Sequence, residues 1–535
     1  MRTYVLTHRS PQVGAAAVLA LCASLFSQGA LAAAAGTVDL LATPPEITAS
    51  VAPNVALTFD DSGSMAWEYM PDQRPYAGGG WGQSSSLVAD ASRPWFCAGV
   101  IDPRVTDPAD PRSKPMNGMY YSPNVRYKAP LYADGVTEFP AADFAAARHN
   151  GIAHYRTLNQ INQGTNNLGT SNFCRATTGA GYYQLLSSVA LTADTYGRIT
   201  NPAVLYVSTN WEWVDLPASQ QQNFANWYSY YRTRTNSAKT AMSRAFAPFD
   251  ANIRVTWQNL GLNTSQPTFS AATEIFKFEN NTDNNNVRNR FYDWLFNIPA
   301  NNGTPNVAAS VRTGNYFTNA TGASDTNPYW DRDLNRELSC RQNFHINMSD
   351  GFWNSGNPAP TPVRAVPTGD QGLRYLDTGL TLPDGRDYDT GDAENKFFNR
   401  FSGTQIEPTL ADVMFHYWAS DLRPDFTAND ATKLKVPAFI PDRSTNLFGT
   451  AVAPGTDARD NKEIYWNPAN DPATWSHLVN FNISFGLDGT LPQTPGIYTA
   501  LREGTGTWLW PYPAVNTDDG RKLDDFWHAA LVSRG

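Results

Sequence analysis

The chain has 535 residues, with 40 Lys+Arg against 49 Asp+Glu, a net charge of −9 and only 17% charged residues. That balance offers no basic face of the kind a nucleic-acid binder needs, so nucleic acid is not an expected partner. Hydrophobic residues make up 41% and aromatics 13%, and 38 Gly and 37 Pro are too few for a low-complexity chain; disorder, collagen and coiled coil are excluded as the main state.

The first stretch reads as an address. Arg2, His8 and Arg9 precede an apolar run from Val13 to Phe26, which ends in the small residues Ala30-Leu31-Ala32. This is the pattern of a secretory signal peptide over 1–32, cleaved after Ala32. A run this short is not expected to stay as a membrane anchor, and no later segment is apolar enough to span a bilayer. Residues 33–52 read as a linker. Cleavage removes Cys22 and leaves Cys97, Cys174 and Cys340, enough for one disulfide in an exported chain. Pairing is not deducible from spacing; Cys97–Cys174 is favoured because both lie in one long irregular region.

Asn54–Phe59 alternates Val55, Leu57 and Phe59 with smaller residues and stops abruptly at Asp60-Asp61-Ser62-Gly63-Ser64, as a strand ending at the crest of an α/β sheet does. From about 66 to 219 the pattern is irregular and rich in Tyr, Trp, Pro and Asn, which predicts a large insertion of short strands and loops, Val204–Val207 among its strand fragments. Trp227, Tyr230, Tyr231, Ala238, Ala241, Met242, Ala245 and Phe246 recur at helical spacing over five turns. A strand at Ile253–Trp257, an apolar run at Phe291–Ile298, a loop at Asn301–Pro305 and a helix to Phe317 follow. Phe344, Ile346 and Met348 alternate in a second strand ending at Ser349-Asp350-Gly351. Polar insertions are expected at about 354–405 and 425–474, separated by a helix through Leu410, Val413, Met414, Tyr417 and Trp418. A strand at Leu478–Phe485 and a helix beginning near Asp524 complete the order. Strands alternating with helices predict a doubly wound, mostly parallel sheet with helices on both faces.

The sharpest chemical feature is Asp60-x-Ser62-x-Ser64. A hard divalent cation takes oxygen ligands, and one carboxylate with two hydroxyls on a tight turn supplies three, with Gly63 letting the turn close. Asp and Ser are also ordinary turn formers, so the motif alone is weak. Two further oxygens lie in the expected places: Thr304 in a loop before a helix, and Asp350 at the end of another apolar strand. Ligands of open α/β sheets gather at the carboxyl ends of strands where the order reverses, so the strands ending at Asp60 and Asp350 should be adjacent and parallel.

Those residues carry a resemblance. VALTFDDSGSM, the NGTP loop and the MSDG turn resemble the metal-ion-dependent adhesion site of von Willebrand factor A-type domains. MYYSPNVRYKAP (119–130), YYRTRTNSAKTAMSRAF (230–246), CRQNFHINMSDGFWN (340–354), TLADVMFHYWASDLRP (409–424), WSHLVNFNISFG (475–486) and DDFWHAALVSRG (524–535) resemble the N-terminal half of the PilY/PilC family of type IV pilus assembly and tip-adhesin proteins. The resemblance implies a von Willebrand factor A-like α/β domain over 53–535 with large insertions. It also implies display at the pilus or outer surface, with minor pilins and surface or host ligands as partners. The metal ligands it implies are Asp60, Ser62, Ser64, Thr304 and Asp350. Mg2+ is the expected cation, with Ca2+ or Mn2+ as alternatives. Asp61 stands where the family often has Asn, and Ser349 where it usually has Thr. Members usually continue into a C-terminal β-propeller, which the sequence ending at Gly535 does not include.

Blander readings stand beside these. The acidic run Asp384, Asp387, Asp389, Asp392 and Glu394 does not fit the 1-3-5 spacing of an EF-hand and reads as a solvated loop. His345, His416 and His528 fall on core-facing positions and are expected to be structural. Trp211 and Trp213 read either as a recognition surface or, more simply, as the cores of loop-rich insertions. No G-x-S-x-G, HExxH or P-loop motif is present, so a non-enzymatic adhesion or assembly module is expected. The alternatives are a metal-dependent exported hydrolase and a stalk whose metal site is vacant.

Overall fold

The computed structural model describes residues 51–70, 93–350, 352–353, 380–388, 409–439 and 470–535, apart from short stretches inside these ranges. Residues 1–50, which hold the expected signal peptide and most of the expected linker, most of the 354–405 and 425–474 insertions, and Asp389, Asp392 and Glu394 lie outside the described residues; Asp384 is exposed.

Five strands form the central sheet: β1 (Asn54–Phe59), β2 (Arg254–Asn259), β3 (Phe276–Lys277), β4 (Asn343–Ser349) and β5 (Leu478–Ser484). They lie in the spatial order β5-β4-β1-β2-β3. The two neighbours of β1 run parallel to it, with Asn54 opposite both Asn343 and Arg254, and Phe59 opposite both Met348 and Asn259. β5 is parallel to β4, and only the short edge strand β3 is antiparallel, to β2. The chain therefore builds outward from β1 to β2 and β3, then returns to the other side for β4 and β5. The order reverses between β1 and β4, and the carboxyl ends of those two strands form the crevice of a doubly wound sheet.

Both faces are covered. The alternation of β1 sends Val55, Leu57 and Phe59 to one side, where they join the core formed with α1 (Gln221–Tyr230), α2 (Arg234–Phe246) and α3 (Val287–Asn297). Ala56 faces the other core, shared by α4 (Asn306–Thr318), α5 (Leu410–Ala419) and α6 (Arg521–Val532). The contact of α4 with the sheet is a polar layer. Thr58 Oγ1 meets His345 Nε2 at 2.8 Å, and Gln258 Nε2 donates to Thr58 Oγ1 at 2.9 Å and to Thr313 Oγ1 at 3.0 Å. Burial pushes His345 down to about 3, so its ring is neutral and structural, as its position on the strand implies. His416 and His528 are buried as well, and His528 stacks on Trp510 with ring centroids 4.2 Å apart.

Two expected elements differ. The apolar period running from Trp227 to Phe246 is not one helix: α1 ends at Tyr230, and Thr233 caps α2, its Oγ1 accepting from Asn236 N at 3.3 Å. Periodicity survives the break because both helices bury apolar side chains in the same core. Val204–Tyr206 is not a strand fragment but part of a 3-10 turn, Pro202–Tyr206, opened by its proline. Within the 66–219 insertion, strands at Ala98–Val100, Gly181–Leu185 and Trp211–Asp215 form a small separate sheet. Trp211 is buried, its indole donating to Leu205 O at 2.9 Å, and Trp213 packs edge-on against Tyr183. Both serve the insertion's core. Cys97 and Cys174 form the disulfide, with Cα atoms 5.9 Å apart, and Cys340 is a free, half-buried thiol. Among the described residues, no helix is long and apolar enough to cross a membrane.

Candidate functional site

The site lies at the reversal point. The Asp60 amide continues the sheet by donating to Met348 O at 3.1 Å, and the chain then leaves the sheet into a 3-10 turn, Gly63–Ala66. Asp60 Oδ1 accepts from Ser62 N at 2.8 Å; its Oδ2 accepts from Ser349 Oγ at 2.6 Å and from Asp350 N at 3.3 Å. Ser349 thus orients the Asp60 carboxylate. Beside it, two hydroxyls bond the second acid. Ser62 Oγ and Ser64 Oγ are 2.9 Å apart, and Asp350 Oδ1 accepts from Ser64 Oγ at 2.9 Å and from Ser62 Oγ at 3.5 Å.

The loop carrying Thr304 is docked on this turn. Gly63 N donates to Asn302 O at 2.9 Å, and Asn301 N and Asn302 N both donate to Asp61 O at 3.0 Å. Thr304 follows two residues later, 6% exposed. The structure therefore brings Asp60, Ser62, Ser64 and Asp350 into one hydrogen-bonded group and seats the Thr304 loop beside it. Asp60 and Asp350 are fully buried, whereas Gly63 and Gly303 are exposed and Ser64 is half-buried, so solvent reaches the group along the two glycine-bearing loops.

The two buried acids act on each other. Burial, followed by repulsion from Asp350, raises Asp60 to about 7, against the Ser349 and Ser62 hydrogen bonds that lower it. A buried carboxylate pair with hydroxyl oxygens around it is a donor set for a hard, oxygen-seeking cation such as Mg2+. Among the described residues no three His, Cys, Asp or Glu side chains gather as a metal cluster; here two carboxylates and three hydroxyls make up the candidate set.

Three contributors were not legible in the motif. Asp61, expected only as an extra charge, is a clamp: its Oδ2 accepts from Asn259 Nδ2 at 2.9 Å and Asn302 Nδ2 at 2.6 Å, and its Oδ1 from Gly261 N at 2.8 Å. The glycine that closes the site is Gly261, where a Cβ would stand 2.7 Å from Asn302 Cβ. Gly63 has open space around its Cβ position and no positive φ, so it does not close the turn. The third is Arg234, fully buried, whose Nη1 meets Asp350 Oδ2 at 2.9 Å. A charge on the apolar stripe of the helix, four residues before Ala238, was the available signal. The same helix holds the second loop: Lys239 Nζ donates to Ile298 O at 2.7 Å and Phe296 O at 3.3 Å, just before Asn301.

Over 99% of its length the chain is 31% identical to the type IV pilus biogenesis factor PilY1 of Pseudomonas aeruginosa strain UCBPP-PA14. It is 30% identical over 98% of its length to that of strain PAK. The chain is a match to the N-terminal half of PilY1. It spans 40% of the length of each of these PilY1 proteins. No protein-family model matches the chain, and no solved structure matches it.

Proposed function

We propose that the chain is an exported, non-enzymatic module of a type IV pilus, acting in pilus assembly and in adhesion at the pilus or outer surface. Its scaffold is read as von Willebrand factor A-like, with signal peptide 1–32 and insertions at about 66–219, 354–405 and 425–474. The PilY1 relationship supports the pilus role, and the strand order with its reversal between β1 and β4 supports the scaffold. One observation carries the binding mechanism: two buried carboxylates at the open end of parallel strands, Asp60 accepting from the Ser62 amide and the Ser349 hydroxyl, and Asp350 accepting from the Ser62 and Ser64 hydroxyls.

Asp60, Ser62, Ser64, Thr304 and Asp350 would hold the cation, Mg2+ before Ca2+ or Mn2+. When bound, such an ion supplies a Lewis-acidic position that a carboxylate of a minor pilin or surface ligand can complete. The residues supply the rest. Ser349 and the Ser62 amide orient Asp60, Asp61 locks the Thr304 loop, and the low glycine rim leaves room for an approaching side chain. Cells carrying Asp60→Ala in the chromosomal gene test the reading. The expected result is loss of adherence with normal amounts of the folded protein at the surface; undiminished adherence and piliation would refute it.

A further inference from the structure

Arg234 occupies a costly position. It is the first residue of α2, where the helix dipole is positive and an arginine is disfavoured, and it is completely buried. Its guanidinium is nonetheless fully engaged. Nη1 reaches Asp350 Oδ2 at 2.9 Å and Asp350 O at 3.3 Å, and Nε donates to Tyr69 O at 2.9 Å. The rings of Trp67 and Tyr69 lie 5.0 and 5.7 Å from its charge centre. Its own backbone amide donates to Trp67 O at 3.1 Å. The arginine is thus clamped between the segment that follows the Asp60 turn and the carboxylate across the crevice. It takes one oxygen of Asp350 and leaves the other, Oδ1, facing Ser62 and Ser64.

Resting on the cation-site reading above, we propose that Arg234 is the resident counter-cation of the site, a positioning residue that lowers the site's affinity for a divalent ion and keeps the cation-free site folded. Without it, two carboxylates would share a water-poor crevice with nothing to offset their repulsion, which destabilises the native state. With it, the pair presents one net negative charge, and a divalent ion entering the site meets a fixed positive neighbour. Weak intrinsic affinity makes the bound state depend on the carboxylate that a partner brings. Mg2+ alone then fills the site only weakly, and a partner's carboxylate tightens it, which suits an attachment that must form and release. A merely structural arginine, tying α2 to the 67–70 segment, would stabilise the fold to the same degree with or without cation.

That difference is the test. Thermal unfolding of the full chain and of Arg234→Gln is followed in EDTA and in a Mg2+ series, with Mn2+ in parallel. The expected result is a lower midpoint for Arg234→Gln in EDTA, a larger upward shift on adding Mg2+ than the wild type shows, and an apparent Kd roughly tenfold tighter or better. Arg234→Lys, which keeps the charge and loses the fork, should fall between the two. It also carries the comparison if the glutamine variant does not fold even in Mg2+. Equal Mg2+ shifts in wild type and both variants overturn the counter-cation role while leaving the cation site standing. No cation response in any of the proteins overturns the cation-site reading and this inference with it.

Discussion

Asp60 and Asp61 are neighbours with opposite duties. Asp60 faces the crevice beside Asp350, while Asp61 turns away and accepts three hydrogen bonds, from Asn259, Gly261 and Asn302. Asp61→Ala leaves those buried donors without an acceptor, and each such loss costs about 1–3 kcal/mol. The variant should therefore unfold at markedly lower urea, by roughly 3 kcal/mol; Asp60→Ala also frees three donors but relieves the repulsion from Asp350, and so should lose less. Comparing the two urea midpoints checks this. A second residue-scale prediction concerns His477, 4% exposed, whose Nδ1 lies 2.8 Å from Trp475 O and Nε2 2.9 Å from Asp471 Oδ2. Both ring nitrogens face acceptors, so the ring is held as imidazolium. Burial alone would lower it, but the Asp471 charge and hydrogen bond outweigh burial and raise it above its ordinary value of 6.5. The native state keeps a proton that the unfolded chain gives up above pH 6.5, so this contribution is complete below that pH and fades as pH rises through the raised pKa. Urea midpoints between pH 6 and 9 should decline in the wild type and decline less in His477→Gln. Asp60, Ser62, Ser64 and Asp350 were legible in the sequence because each stands at a strand end, where polar residues stop an apolar pattern. Arg234 and Gly261 were not, because their roles come from contacts with residues 116 and 41 positions away, Asp350 and Asn302.

At the scale of elements, the alternating apolar residues of β1 and β4 located the two strands that matter to within a residue, and their parallel pairing is present in the structure. The helix break at 231–233 escaped the apolar pattern because hydrophobic period reports which face is buried, not whether the backbone continues. What starts the second helix is local: the Thr233 cap, and the Arg234 amide donated to Trp67 O. α5 is held in another way that no pattern displays. Its first two amides, Leu410 N and Ala411 N, donate to the carboxylate of Asp525 on α6 at 2.8 and 3.2 Å, beside its own Thr409–Asp412 capping box. A carboxylate on a helix N-terminus gains from both the amides and the dipole. Asp525→Asn should cost about 1–2 kcal/mol, read as a lower thermal midpoint, with the Thr409 box keeping the helix itself intact by circular dichroism.

For the molecule as a whole, the central sheet was legible and the 66–219 insertion was not. Its short strands and aromatic cores come from pairings without a clear period, as in Trp211 over Leu205 and Tyr120 bonding Gly181 O at 2.7 Å. The disulfide closes 77 residues of that region. Closing a loop of this length restricts the unfolded chain by up to about 4 kcal/mol. Reduction, or Cys97→Ser with Cys174→Ser, should lower the thermal midpoint and admit protease first within 98–215, seen by mass spectrometry of the early fragments. The crevice between β1 and β4 is where the sheet meets the segment that follows Asp60, and it is where we propose that a divalent cation binds. Isothermal titration of Mg2+ into the full chain tests that most directly, with Asp60→Ala as the comparison. One saturable site is expected in the wild type and none in a folded Asp60→Ala variant; equal Mg2+ binding by the two proteins, or none by the wild type, rules out the cation site.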